Sequence, residues 1–133
     1  MTQNMGYAQK YVPFKILVPP YVPKQLRGEP YIRVNAHYEA SPPETSAELM
    51  YNDEKVGLSI LQTDTHLLPL EPEVNPKVQV VRLSNTPVSI YEFEGPGFEG
   101  QFLHGGRFFV VYVMNLPRNE LIKVIESLLK QQE

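Results

Sequence analysis

Hydrophobic and polar residues alternate cleanly in YIRVNAHY (Tyr31–Tyr38). Ile32, Val34, Ala36 and Tyr38 share one side; Tyr31, Arg33, Asn35 and His37 share the other. Period two over that length predicts a strand with one dry and one wet face. Val56–Thr63 (VGLSILQT) alternates in the same way, with Val56, Leu58 and Ile60 inward. The polar NDEK before it is a turn, so Ala47–Tyr51 and Val56–Thr63 form a hairpin. Lys77–Leu83 and Thr86–Glu94 are two more strands, joined around Ser84–Asn85. Two glycine-based reversals follow: EGPG (Glu94–Gly97) sets VSIYEF apart from FEGQFLH, and HGGR (His104–Arg107) sets FEGQFLH apart from RFFVVYVM. A Gly-Gly pair between apolar runs favours a hairpin because both residues tolerate positive φ. Phe108–Met114 is apolar throughout, which predicts burial on both faces and hence a central or helix-covered strand.

In LPRNELIKVIESLLKQQ the period changes to that of a helix. Leu121, Ile122, Val124, Ile125, Leu128 and Leu129 make one stripe, with Lys123, Glu126, Lys130 and Gln131 opposite. Only a sheet face is available to receive that stripe. The expected fold is therefore α+β: one mostly antiparallel curved sheet of about six or seven strands, with a C-terminal helix packed on one face. Residues 13–133 should form one domain, and the polar, aperiodic residues 1–12 a flexible lead. Glu39–Ser46 and Asp64–Pro76 read as loops, since both are rich in proline and lack a period.

Proline changes one part of this picture. The chain has 13 prolines, close to twice the usual ~5 %. Four of them thread PFKILVPPYVPKQL (Pro13–Leu26). Phe14–Val18 is long enough for a short edge strand, with Phe14, Ile16 and Val18 on one side. Pro19 and Pro20 end any ladder because neither donates a backbone hydrogen bond, and a stiff apolar strap should follow.

Charge and composition narrow the function classes. A net charge of -3 with scattered Lys and Arg argues against nucleic acid. The absence of cysteine removes disulfides, Cys-based zinc sites and thiol nucleophiles. No stretch has the ~18–20 apolar residues of a membrane span. The start has neither the basic nor the apolar region of a signal peptide.

No catalytic constellation emerges. His37, His66 and His104 lack the spacing of a helical zinc motif, and a site built from His37 and Glu39 would need further ligands from afar. There is no nucleophile elbow. The i,i+2 carboxylates Glu92/Glu94 and Glu71/Glu73 read as solvated edges. GPGFEGQFLHGG opens no helix and carries no Lys-Ser/Thr, so it is not a phosphate cradle. Neither a cofactor nor a metal is expected. A binding surface is the remaining reading, because one helix cannot cover every face of such a sheet. Its candidate residues are the aromatics Tyr91, Phe93, Phe98 and Phe102 and the wet stripe Tyr31, Arg33, Asn35 and His37, which could meet an anion.

Three segments carry a family resemblance. PFKILVPPYVPKQL is similar to the opening of the bacterial domain of unknown function 4367, an apolar strand followed by spaced prolines. ELMYNDEKVGLSILQT resembles that family's hairpin, and GGRFFVVYVMNLPRNELIKVIESL its closing strand and helix. The resemblance spans Pro13 to Leu129 in order. Two departures mark a divergent member. The chain has no Trp before the last hairpin turn, where Phe102 and Leu103 stand. Pro117 replaces the Ser or Thr that caps the helix, although Glu120 keeps its place. The resemblance implies an extracytoplasmic module of anti-sigma-factor-like or sporulation-associated proteins, often following a membrane helix and distantly like lipoprotein-carrier sheets.

The expected function is thus a non-enzymatic binding, sensing or interaction module, with an unidentified protein partner or a small apolar ligand. The alternatives are a carrier holding a lipid or lipoprotein acyl chain in the concave sheet face, and a hydrolase or metalloenzyme, which has the least support.

Overall fold

A computed structural model describes residues 2–37, 44–64 and 67–131. The chain runs α1 (Met5–Gln9), β1 (Tyr31–His37), β2 (Glu44–Asn52), β3 (Gly57–Thr63), β4 (Val78–Leu83), β5 (Thr86–Glu92), β6 (Gly97–His104), β7 (Arg107–Met114) and α2 (Arg118–Leu129). All seven strands form one antiparallel sheet in the order β1-β2-β3-β7-β6-β5-β4. The α+β reading and its curved sheet hold.

Both two-residue hairpin turns use left-handed backbone. Gly105 and Gly106 take φ of 59° and 77°, and Ser84 and Asn85 take 49° and 64°. Positive φ at both central positions matches the right-handed twist of the flanking strands.

The apolar β7 lies at the centre of the sheet, as its composition predicts. Its two faces differ. Phe109, Val111 and Val113 are fully buried beneath the covering layer, whereas Val110 and Tyr112 opposite are only half-buried. The expected burial on both faces is thus complete on one side alone, because α2 follows a single strand and covers a single face.

α2 buries Leu121, Val124, Ile125, Leu128 and Leu129. Pro117 precedes it with no side-chain cap. Glu120, which a capping box would turn back on the helix start, instead accepts a hydrogen bond from the Tyr21 hydroxyl. That bond, ahead of burial and the carboxylate's charge, raises the Tyr21 pKa.

Tyr21 belongs to the proline-rich strap, which shares the inner face with α2. No strand forms at Phe14–Val18. Side-chain amides take the strap's backbone groups instead. Gln9 donates to the Phe14 carbonyl at 2.5 Å and accepts from the Ile16 N–H at 2.9 Å. Gln62 holds Leu17 through two bonds, and Gln131 donates to the Val18 carbonyl at 2.8 Å. The expected burial order changes accordingly. Phe14, Ile16 and Leu17 are buried while Val18 is exposed, since a chain crossing over a sheet face need not alternate. Arg107 lies beneath the strap with its guanidinium 4.8 Å from the centre of the Phe14 ring.

The first twelve residues, read as a flexible lead, contain α1. Asn4 caps it by accepting from the Tyr7 N–H, Thr2 bridges to Ile32, and Ala8 and Val12 are buried. Five residues are too few to show a helical period.

Tyr51 on β2 is buried, and burial, then the Glu29 carboxylate, pushes its phenol from 10.0 up to about 12. A pKa raised by folding gives stability that is full below the unfolded value and lost as pH rises through the folded one. Urea unfolding should therefore show the chain weakening between pH 10.0 and about 12, with Tyr51→Phe weakening less. Equal alkaline loss in both would exclude Tyr51 as the cause.

Candidate binding groove on the open sheet face

Pairing register fixes which residues share the face opposite α2. It carries Arg33 and Glu48, Ser59 and Tyr112, Gln101 and Ser89, and Tyr91 and Val78 across the strands. Part of the β3–β4 connection is fastened over this face. The Leu70 N–H donates to Gln101 Oε1 at 3.0 Å, and the Leu70 carbonyl accepts from Ser89 Oγ at 2.5 Å. Ser89 and Gln101 face each other on β5 and β6, so the backbone of one residue, Leu70, is stapled to two adjacent strands.

Between this loop and the sheet lies a half-open groove of about 400 Å³. Leu68, Pro69, Leu70, Val80, Pro87 and Leu103 make its walls. Glu71, Thr86 and Ser89 add polar atoms. Leu68, Val80 and Leu103 are 74%, 45% and 43% exposed, so large apolar side chains face solvent here together.

The eight residues singled out from sequence do not meet in one place. Tyr31, Arg33 and Asn35 lie on the open face of β1, at the far edge from the groove. His37 ends that strand; its side chain, like Glu39 and His66, is outside the described residues. Arg33 pairs with Glu48 at 2.7 Å, and Glu48 also accepts from Ser59 Oγ at 2.8 Å. The cation that was to meet an anion is already matched to a carboxylate.

Tyr91 and Phe93 sit on the open face, where Phe93 bridges Tyr91 and Tyr112 in edge-to-face contacts at 4.8 and 5.6 Å. Phe98 and Phe102 are on the other side. Phe102 has no exposure and stacks on Phe109 at 5.0 Å, so it is a core residue and not part of a binding surface. The alternation in FEGQFLH carries that signal, with Phe98 and Phe102 out of phase with Glu99 and Gln101. The groove residues were not singled out, because Leu68 and Leu70 lie in an aperiodic loop and Leu103 borders a turn.

Among the described residues, no group of three His, Asp or Glu side chains is placed to hold a metal ion. His104 shares a hydrogen bond with the Gln131 carbonyl, and Glu94 pairs with Lys77 at 3.4 Å. No helix described is long and apolar enough to cross a membrane. The chain matches no family model, no curated protein and no solved structure.

Proposed function

We propose that this chain is a non-enzymatic binding module that takes a small amphiphile in the open-face groove. The observation that carries the reading is the groove itself. Its volume of about 400 Å³ falls within the ~300–1,000 Å³ of small-molecule sites. Its walls are apolar, with polar atoms contributed by Glu71, Thr86 and Ser89. An apolar tail suits the walls, and Glu71 and Thr86 offer polar partners to a head. The carrier role lies closest to this geometry, with the groove in place of the whole concave face. The resemblance to domain of unknown function 4367 supports an extracytoplasmic setting near a membrane.

Titration with the neutral fluorophore phenylnaphthylamine tests the reading. Saturable binding at one site per chain is expected, weakened at least about tenfold by Leu103→Glu, since a buried carboxylate opposes an apolar ligand. Tyr31→Glu, on the far edge, should bind as the unaltered chain does. Absence of saturable binding, or equal losses in the two variants, would overturn the proposal.

A further inference from the structure

The two edges of the sheet are finished differently. On β1 the chain's own Thr2 closes the edge at Ile32, with N–H···O distances of 3.0 and 2.6 Å. No such segment pairs with β4, at the opposite edge, among the described residues. The hairpin geometry dictates where the β4 backbone points. The two-residue turn at Ser84–Asn85 makes Leu83 and Thr86 a hydrogen-bonded pair. Alternation then turns the N–H and C=O of Val81 and Gln79 toward β5, and those of Arg82, Val80 and Val78 outward. The outward Val78 N–H is taken by the Asn75 carbonyl at 3.0 Å. Among the described residues, Val80 and Arg82 are left presenting one donor and one acceptor each.

Their side chains guard the edge only weakly, since Val80 is apolar and Arg82 carries the one charge of the strand. Sheet edges are commonly protected by proline, lysine, a bulge or a covering segment. VQVVRL contains neither proline nor lysine. Val80 is 45% exposed, while Val81 and Leu83 join the core only in part. The Arg82 guanidinium folds back to the Asn85 carbonyl at 3.0 Å, at the turn end of the strand.

We infer that β4 pairs with β4 of a second copy, antiparallel about a two-fold axis at Val81, joining two sheets into one. The free groups are self-complementary in this register. Val80 of each copy faces Arg82 of the other, and the two reciprocal pairs form four hydrogen bonds that use both free residues. Val81 meets Val81 at the non-hydrogen-bonded position on the axis, where side chains approach most closely. Gln79 faces Leu83, so the apolar surface left at Val81 and Leu83 becomes covered. An isologous contact of this kind needs no second type of partner.

The absence of cysteine makes the register testable by single substitutions. Residues at a non-hydrogen-bonded antiparallel position have Cα atoms ~4.5 Å apart, within the ~4.4–6.8 Å span of a disulfide. Under mild oxidation Val81→Cys should give a covalent dimer, whereas Val80→Cys, one position off the axis, should give far less. Sedimentation velocity should show a reversible dimer for the unaltered chain. Val80→Pro removes an outward donor without touching the β4–β5 ladder, and should weaken that dimer at least about tenfold. Val80→Glu beside Arg82 should tighten it and Val80→Lys should weaken it, which keeps the test sound if the proline variant fails to fold. A chain that stays monomeric at roughly millimolar concentration, or a dimer indifferent to all the Val80 changes, would overturn the proposal. So would equal cross-linking at the two cysteine positions.

Discussion

Replacing Gln62 with glutamate should leave the chain close to its normal stability near pH 4.5 and weaken it by roughly 3–5 kcal/mol at pH 8, the cost of stranding a buried charge. Gln62 is fully buried on β3 and holds the strap by a reciprocal pair of bonds. The Leu17 N–H donates to its Oε1 at 2.8 Å, and its Nε2 donates to the Leu17 carbonyl at 2.6 Å. A protonated carboxyl can reproduce both bonds, since its O–H replaces the amide donor. An ionised carboxylate cannot: one oxygen would face the Leu17 carbonyl with no proton between them. The folded pKa of the introduced group is therefore raised above the ordinary ~4.3 of glutamate by burial and by a bond that favours the neutral form. Stability is then fully present below the unfolded pKa and is lost as pH rises through the folded one. Gln62→Leu is the informative control. It leaves the Leu17 N–H and C=O unsatisfied at every pH and should cost about 2–4 kcal/mol without pH dependence. Urea unfolding of the three proteins at both pH values decides the matter. A glutamate variant with no pH-dependent deficit would mean that the strap is not held through this amide.

The strap also shows where sequence reasoning reached its limit. The strands were legible because alternation states which residues face inward, and α2 because its stripe repeats at helical spacing. PFKILVPPYVPKQL displays its apolar content and its lack of ladder donors, but not the partners of its backbone. Those partners are Gln9, Gln62 and Gln131, one near each end of the chain and one on β3. Nothing about an isolated glutamine announces that role. Strand order limited the site in a similar way. β7 inserts between β3 and β6, so β1 and β5 lie four strands apart with β2, β3, β7 and β6 between them. The polar stripe of β1 was legible as one strand face, but no local pattern revealed how far it lies from Tyr91 and Phe93, or that Phe98 and Phe102 lie on the other side from them. The groove depends on a loop stapled by Ser89 and Gln101, whose two bonds follow from register and not from spacing.

Adding one methyl group at Gly100 should destabilise the chain by about 1–3 kcal/mol, the usual cost of overpacking a core. Gly100 lies on β6 beneath α2, paired with Val111 and Ile90. A Cβ there would stand 2.5 Å from Ile125 Cδ1 and 3.5 Å from Val88 Cγ1. Its φ is not in the left-handed region, so close approach of the helix, and not backbone freedom, accounts for the glycine. Elsewhere, exchanging glycine for alanine in permitted backbone gains ~0.4–1 kcal/mol by restricting the unfolded chain. Gly100→Ala is expected to have the opposite sign because Ile125 is fully buried, and in a close-packed interior its Cδ1 can move only by displacing neighbours. This account makes a sharper claim about a pair. Ile125→Val deletes the obstructing Cδ1 and alone should cost about 0.5–1.5 kcal/mol through the space it leaves. The methyl added at Gly100 would occupy that space. The double variant should thus be more stable than the sum of the two losses by at least about 1 kcal/mol, within the range of coupling between touching residues. Additive losses in the cycle would show that α2 shifts as a body to accommodate the change; a coupling confined to this pair would show that the close approach of α2 to β6 at Gly100 depends on the fit of this one side chain.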